Sequence, residues 1–455
     1  AMPKKPPKTA VGSSNRPAAA PPADRAREKH RGAIGAAPRV PLLAVLGCLA
    51  VVGAVRMAAL MEQGVAIDFY QFGSVAGASS VRPGENIHAL ETGERLARAL
   101  LAGLTETDSQ AKRDAANFRA RRVDVVSTPF FYTCFRAIRT GDYDTDLRRY
   151  RLGSLAAFIA AVLLIASLIG CAPGTRLAAS AFFLWAFPPL RFDLTEGNVN
   201  AVQLAVLALL IWLRREPDSA WRAVTAGCIL SLGALFKPNI AMVFVLLLPA
   251  WALLRRFGDI LRAAVGAALG ALIAWAASAW TLGAAATWSG WLKAMRHLER
   301  DFAVGVAQGN LGGARVAGDA LGWDPTLVLL AVLLGVVAGK LWLLRCSLPD
   351  APAAAPLVRN LDALLIGLGP SVAILGTSIA WPHYAVLCVP LCLICLERIE
   401  TETHFLSPLP LLAAAAFAGL SSTAWLGAIG VQAPLIQALA LALGVLALYA
   451  GGVLA

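Results

Sequence analysis

Five separated stretches of this chain carry the side chains that can do chemistry. They are Asp68 in AIDFYQF, the run Arg191–Asn200 (RFDLTEGNVN), Lys237 in ALFKPN, Asn310 and Arg315 in GNLGGAR, and His383 in WPHY. Together they supply carboxylates, cations, amides and an imidazole. Such a set suits proton abstraction beside a bound anion: a carboxylate takes the proton, cations hold negative charge, and amides order hydroxyl groups. Each residue also has a plainer reading. Asp68 suits a helix cap, as do Glu196, Asn198 and Asn200. Lys237 suits a snorkelling flank, His383 with Trp381 and Tyr384 suits an interfacial belt, and Gly309–Gly318 suits an ordinary loop. The chemical reading rests on these stretches meeting on one face, so the elements that position them decide it.

Those elements are membrane helices. Of 455 residues, 58% are hydrophobic and only 15% charged, against about 25% charged in a soluble domain. Apolar runs of roughly 20 residues recur from about residue 41 onward, each long enough for a bilayer core of about 30 Å. The pattern predicts an all-α polytopic membrane protein with about twelve transmembrane helices. These fall near residues 41–60, 152–170, 177–190, 198–213, 222–236, 239–254, 263–282, 326–344, 361–379, 384–397, 408–427 and 433–454.

Basic residues set the orientation. With the N-terminus inside, the short cytoplasmic connections hold Arg176, Arg214, Arg215, Arg222, Arg255, Arg256, Arg262, Arg345, Arg359 and Arg398, whereas the short opposite connections hold Arg191 and Lys237. Short loops follow the positive-inside rule, so both termini are expected in the cytoplasm of a bacterial inner membrane. The long segments 61–151 and 283–325 are then expected in the periplasm, with the polar stretches above. Arg148, Arg149 and Arg151 run against the bias. Residues 90–104 set Leu90, Leu96, Ala97, Leu100, Leu101 and Leu104 opposite Glu91, Glu94, Arg95 and Arg98. This is an amphipathic helix able to lie at the interface. Residues 127–138 form a second apolar, aromatic patch.

The domain organisation follows: a disordered basic cytoplasmic arm, residues 1–40, and a transmembrane domain, residues 41–455. Much of the formal charge of +12 lies in the arm. A basic tail beside a membrane span is attracted to anionic lipid, so membrane lipids, and not nucleic acid, are the expected partners. Cys392 and Cys395 form a CxxC, but their Leu and Ile neighbours and the lack of nearby His favour packing over metal.

The order of these features resembles the GT-C superfamily of membrane glycosyltransferases, and most closely glycosyltransferase family 87. Asp68, with Phe69 and Tyr70, matches an Asp soon after the first span. Gly84–His88 stands where the family has a G-x-x-P-Y-like stretch, without the Pro-Tyr, and Ser127–Phe131 matches part of a Y-P-P-F-like segment. Gly197–Asn200 (GNVN) matches G-Q-x-N with Asn for Gln, and Lys237–Pro238 matches a K-P pair. Gly309 and Asn310 match a G-N-x-S motif in which Gly312 replaces Ser; Arg315 follows, and His383–Tyr384 matches a late H-Y. The resemblance covers roughly residues 41–400. It implies a GT-C-like bundle with amphipathic helices in the first periplasmic loop. The implied activity is transfer of mannose or another hexose or pentose from a polyprenyl-phosphate donor to a lipid or glycan acceptor.

A lipid-phosphate sugar already carries a good leaving group, so such a reaction needs a base for the acceptor hydroxyl and cations for the departing phosphate. Asp68 is the expected base, and one carboxylate suits inverting displacement. Lys237, Arg315 and His383 are the expected phosphate contacts. Tyr70, Glu196, Asn198, Asn200 and Asn310 are assigned to the sugar and acceptor. No cofactor is expected; a divalent metal held by Asp68, Asp193 and Glu196 is the alternative. The rival activity is that of a lipid-linked sugar flippase or secondary transporter. Its usual two related halves are not seen here, and the polar residues collect at one surface.

Overall fold

The computed structural model describes residues 39–77, 85–103, 127–216, 219–282, 286–301, 312–347, 355–401, 407–422 and 434–454, with single positions Asp114, Val306, Asn310, Leu426 and Ile429. The chain divides into two units, residues 1–45 and 46–455. Of the first, residues 39–45 open a helix, which takes in the last two residues of the arm expected over 1–40; residues 1–38 lie outside the described residues. The second holds everything below.

All regular structure among the described residues is helical, as it must be where lipid offers no partner for backbone N–H and C=O groups. In chain order the helices are α1 (Arg39–Gln63), α2 (Ile67–Gly77), α3 (Leu90–Gly103), α4 (Pro129–Ile138), α5 (Tyr143–Ile169), α6 (Pro173–Ala186), α7 (Pro188–Glu196), α8 (Asn200–Arg214) and α9 (Ala220–Phe236). There follow α10 (Met242–Leu253), α11 (Phe257–Leu282), α12 (Ala286–Asp301), α13 (Gly313–Leu321), α14 (Thr326–Ser347), α15 (Ala355–Gly376), α16 (Val389–Thr401), α17 (Leu409–Leu420) and α18 (Pro434–Leu454). Short 3₁₀ turns at Pro238–Ile240 and Pro382–Cys388 precede α10 and α16.

Five of these stretches are long and apolar enough to cross a membrane: Pro41–Gln63, α5, α11, α14 and Ile436–Leu454; α7 and α8, bent by 116°, make a sixth if they count as one span. Each of the twelve expected segments falls at least in part on described helix, but α6, α10, α16 and α17, of 12 to 14 residues, are too short to reach across alone. Prolines explain much of the shortening. Pro238 removes a donor and forces the preceding residue out of helical geometry. Lys237 is accordingly extended (φ −148°, ψ 124°), and α9 stops at Phe236. Pro188 and Pro189 likewise separate α6 from α7.

Outward faces carry large apolar side chains, among them Leu49, Val52 and Val55 on α1, Leu261, Leu272 and Trp280 on α11, and Leu327 and Val332 on α14. On helices of this length such faces meet lipid. Between helices, small residues permit close approach. A Cβ on Gly266 of α11 would fall 1.9 Å from the Val224 carbonyl oxygen of α9.

The described residues of the first long connection form packed helices. The apolar face of α3 places Leu96 in a core with Phe69, Phe72, Ile87, Phe131, Tyr132 and Phe135, while Glu91, Glu94 and Arg98 face outward. The expected amphipathic helix is therefore present over 90–103 and turns Leu96 onto protein. Buried Asp114 accepts from the Ala66 backbone N–H and the Tyr143 hydroxyl, each at 2.8 Å, holding the start of α2 to the start of α5.

Ions hold the helix ends remote from Asn200. Arg214, at the last turn of α8, bonds Asp362 of α15 at 2.9 Å and lies 3.4 Å from Asp259 of α11. Arg256 bonds the same two carboxylates at 2.9 and 2.7 Å, and the Trp251 indole donates to Asp362 at 3.0 Å. Asp362 is fully buried. With two guanidinium groups and an indole gathered on two carboxylates, the network clamps α8, α10, α11 and α15 at one end.

Candidate active site

The site begins at the bend between α7 and α8. Gly197 ends α7 in the left-handed region (φ +73°), where a side chain would be strained, and a Cβ there would meet Phe69 Cβ at 2.5 Å. Asp193, one turn back and fully buried, reaches across the bend. It accepts the Asn200 and Ala201 backbone N–H groups at 3.1 and 2.9 Å, and the Asn200 side-chain amide at 2.8 Å. The cap of α8 is therefore Asp193. That leaves the Asn198 side chain to point elsewhere.

It points into a cluster of groups from four distant segments. Asn198 Nδ2 donates to Asp68 Oδ2 and lies 3.0 Å from His383 Nε2. Asn198 Oδ1 accepts from Lys237 Nζ at 2.7 Å, from the Val199 backbone N–H at 2.7 Å and from Asn200 Nδ2 at 3.1 Å. His383 Nδ1 lies 3.1 Å from Glu196 Oε2. Lys237 Nζ also sits 4.8 Å over the Tyr384 ring, and the Tyr150 hydroxyl donates to the Asn198 carbonyl at 2.6 Å. Asn198 and His383 are 3% exposed, whereas the Glu196 side chain retains 35%, so Glu196 marks the open mouth.

Burial lifts the Asp68 carboxyl above its ordinary value, with Glu196 adding to the effect and His383, Lys237 and the Asn198 bond opposing it. Burial likewise pulls Lys237 down to about 8, against the attraction of Asp68, Asp193 and Glu196. Asp68 sits in the first turn of α2. Its described hydrogen bond goes to Asn198, across 130 positions of chain.

The structure thus brings together Asp68, Glu196, Asn198, Asn200, Lys237 and His383. It sets three expected site residues apart from them. Tyr70 is buried in the aromatic core, its ring 6.1 Å from that of Tyr143. Asn310 is buried and secures the segment leading to His383, donating to the Ser378 carbonyl at 2.8 Å and accepting from the Ala380 and Gly312 N–H groups at 3.0 Å. Arg315 pairs with Asp319 at 2.9 Å and lines a cavity of about 360 Å³ shared with Asn310, Ser378 and Ile379.

Two contributors had no sequence signal of their own. Gln203 donates to the Lys237 carbonyl at 2.9 Å and Asn239 to Asn200 Oδ1 at 3.3 Å. Arg151, one of the three cations that run against the charge bias, is buried and donates to the carbonyls of Gly64, Leu194 and Thr195. It holds the end of α7 to the end of α1. Its signal was its unexplained sidedness.

Asp68, Glu196 and His383 each present a ligand atom within 4.8 Å of the other two, a set able to hold a divalent cation. Asp193 is not in this group, because both its oxygens are engaged by the start of α8.

Comparison with curated proteins and with solved structures finds no match. A family model described as glycosyltransferase family 87 matches residues 127–367, more than half of the chain. That span contains Asp193, Glu196, Asn198, Lys237 and Arg315; Asp68 and His383 lie outside it. With this match, and with a polar cluster gathered among apolar helices, the chain belongs to glycosyltransferase family 87.

Proposed function

We propose that this membrane glycosyltransferase moves a mannose, or another hexose or pentose, from a polyprenyl-phosphate donor to a lipid or glycan acceptor at the periplasmic face of the bacterial inner membrane. The observation that carries this reading is the Asp68 carboxylate, bonded to Asn198 beside the Lys237 ammonium at a cluster that opens past Glu196. The acceptor oxygen attacks the anomeric carbon from the face opposite the leaving group. Its proton passes to Asp68, the bond from anomeric carbon to phosphate oxygen breaks, and polyprenyl phosphate departs with inversion. Lys237 supplies positive charge for the phosphate as that bond breaks.

A lipid-linked donor needs a place for its tail. An apolar groove of about 790 Å³ runs between α13, α14, α15 and α18, lined by Val316, Leu329, Leu333, Leu375 and Leu443 among others. Asp319 lines both this groove and the polar cavity that holds Arg315. Arg315 therefore meets a phosphate by exchanging Asp319 for it, while Glu196 at the mouth remains the group best placed for sugar or acceptor hydroxyls. Asn198, Asn200 and Asn310 serve to order the cluster.

No cofactor is required for this route. The alternative is a divalent cation on Asp68, Glu196 and His383, with which the nearby Lys237 ammonium competes. Loss of activity in chelator, restored by a divalent cation, would establish it. A flippase or secondary transporter would need a polar path between the Asn198 cluster and the Arg214 network. These stand at opposite ends of α8, about 20 Å apart at 1.5 Å per residue, with Leu204, Leu207, Leu210 and Ile211 buried between.

The deciding experiment is an assay of the purified protein with a panel of radiolabelled polyprenyl-phosphate sugars and a membrane-lipid acceptor extract. Transfer from one of these donors is the expected result. No transfer from any of them, under conditions where the protein stays folded, would overturn the reading.

A further inference from the structure

The hydrogen bonds around Asn198 fix more than its own position. Its Oδ1 faces two groups that can only donate, the backbone N–H of Val199 and the ammonium of Lys237, both at 2.7 Å. An amide turned the other way would set its N–H groups against those donors and its oxygen against the Asp68 carboxylate. The orientation is therefore forced. Both hydrogens of Nδ2 are then committed, one to Asp68 Oδ2 and one toward His383 Nε2. A ring nitrogen that receives an N–H must offer a lone pair, so Nε2 carries no proton. The proton of the neutral ring sits on Nδ1, 3.1 Å from Glu196 Oε2, which accepts it.

We infer that Asn198 is a positioning residue that aims Asp68 as the base and holds His383 as a neutral ring protonated on Nδ1. The aiming of a base rests on the transferase reading above; the tautomer of His383 does not. Two consequences follow for the site. His383 is a second acceptor around the amide and not a cation for the donor phosphate, which leaves that role to Lys237 and Arg315. And because Asn198 occupies Oδ2 of Asp68, the oxygen presented to an acceptor hydroxyl is Oδ1, which no described residue holds. Asn198 gives Asp68 one direction, and the Glu196–His383 pair stops the amide from swinging. This is the logic by which a hydrogen bond to one ring nitrogen sets the role of the other.

The test uses the full-length protein in lipid nanodiscs, labelled with ¹⁵N on histidine. The chain has five histidines, so replacing His30, His88, His297 and His404 one at a time assigns His383 by elimination without altering the site. At neutral pH the expected spectrum shows His383 bare at Nε2 and protonated at Nδ1. A proton on Nε2, alone or on both nitrogens, would overturn the inference, and this measurement needs no site variant to fold. Asn198→Asp supplies the second arm. It places an acceptor against Nε2, so the ring proton should move there, and it adds a carboxylate beside Asp68. The acid limb of the kcat/KM profile should then move to higher pH while kcat falls at least 10²-fold. A fall in kcat with that limb unmoved would refute the positioning role. Absence of transferase activity in the unaltered protein would count against the transferase reading alone, and the tautomer would still be decided by the spectrum.

Discussion

The carboxylate of Asp193 accepts the backbone N–H of Ala201 at 2.9 Å across a bend of 116° between two helices. A helix start leaves several N–H groups without partners, and here an acid of the preceding helix supplies one. Because the acid is fully buried, nothing else is at hand to replace it. Asp193→Ala should therefore destabilise the protein by about 1–2 kcal/mol, as for loss of a strong cap, and lower activity by loosening Asn198. Asp193→Asn should lie between the two. Thermal unfolding in detergent checks the order, and equal stability of all three proteins would show that the bend is held by other contacts.

On the proposed mechanism, Asp68→Asn removes the group that takes a proton and leaves its shape. Folding and donor binding should persist, while turnover falls by about 10²-fold or more. The comparison is single-turnover transfer alongside donor affinity. Ordinary turnover in a folded Asn variant would end the assignment of Asp68 as base.

On the proposed mechanism, the pH profile follows from Asp68 as the base and Lys237 as the phosphate contact. Asp68 must be ionised to act, and burial raises its ionisation above that of an ordinary carboxyl, so activity should rise with pH through that point. Lys237 must be charged, and burial brings it down to about 8, so activity should fall as pH passes about 8. The result is a bell-shaped kcat/KM. Arginine stays protonated throughout. Whatever activity Lys237→Arg retains should lose the alkaline limb, and a limb that stays near 8 in this variant would belong to another group.

Asp362 receives Arg214, Arg256 and Trp251 at the far end of the bundle. Removing it leaves the buried Arg214 and the partly buried Arg256 without this partner. Asp362→Ala should cost about 3–5 kcal/mol, well beyond the effect at Asp193. Denaturation of the variant in mild detergent measures this, and a loss below about 1 kcal/mol would make the clamp dispensable.

Sidedness can be read with single cysteines in a background lacking the eight native ones. Asp324, in the exposed turn between α13 and α14, should react with an impermeant thiol reagent from the periplasm, whereas Glu216, exposed after α8, should not. The reverse pattern would place the Asn198 cluster in the cytoplasm.

The sequence alone determined that this is a helical membrane protein, because composition and the length of apolar runs act through the bilayer, which constrains every helix in the same way. It also picked out Asp68, Glu196, Asn198, Lys237 and His383, since charged and amide groups are rare in so apolar a chain. It did not separate full spans from short ones. Where a helix stops depends on local breaks such as Pro238, and on neighbours that let a short helix stay buried. Nor did it divide roles among the polar residues. Asn198 and Asn200 lie two positions apart in one motif. One reaches Asp68 and His383 and the other closes the bend with Asp193, because Gly197 reverses the chain between two helices. Asp68 and Asn198 are 130 residues apart and His383 a further 185, distances over which only packing decides which groups meet. Arg315, placed with the site by its motif, is paired instead with Asp319, one turn along its own helix.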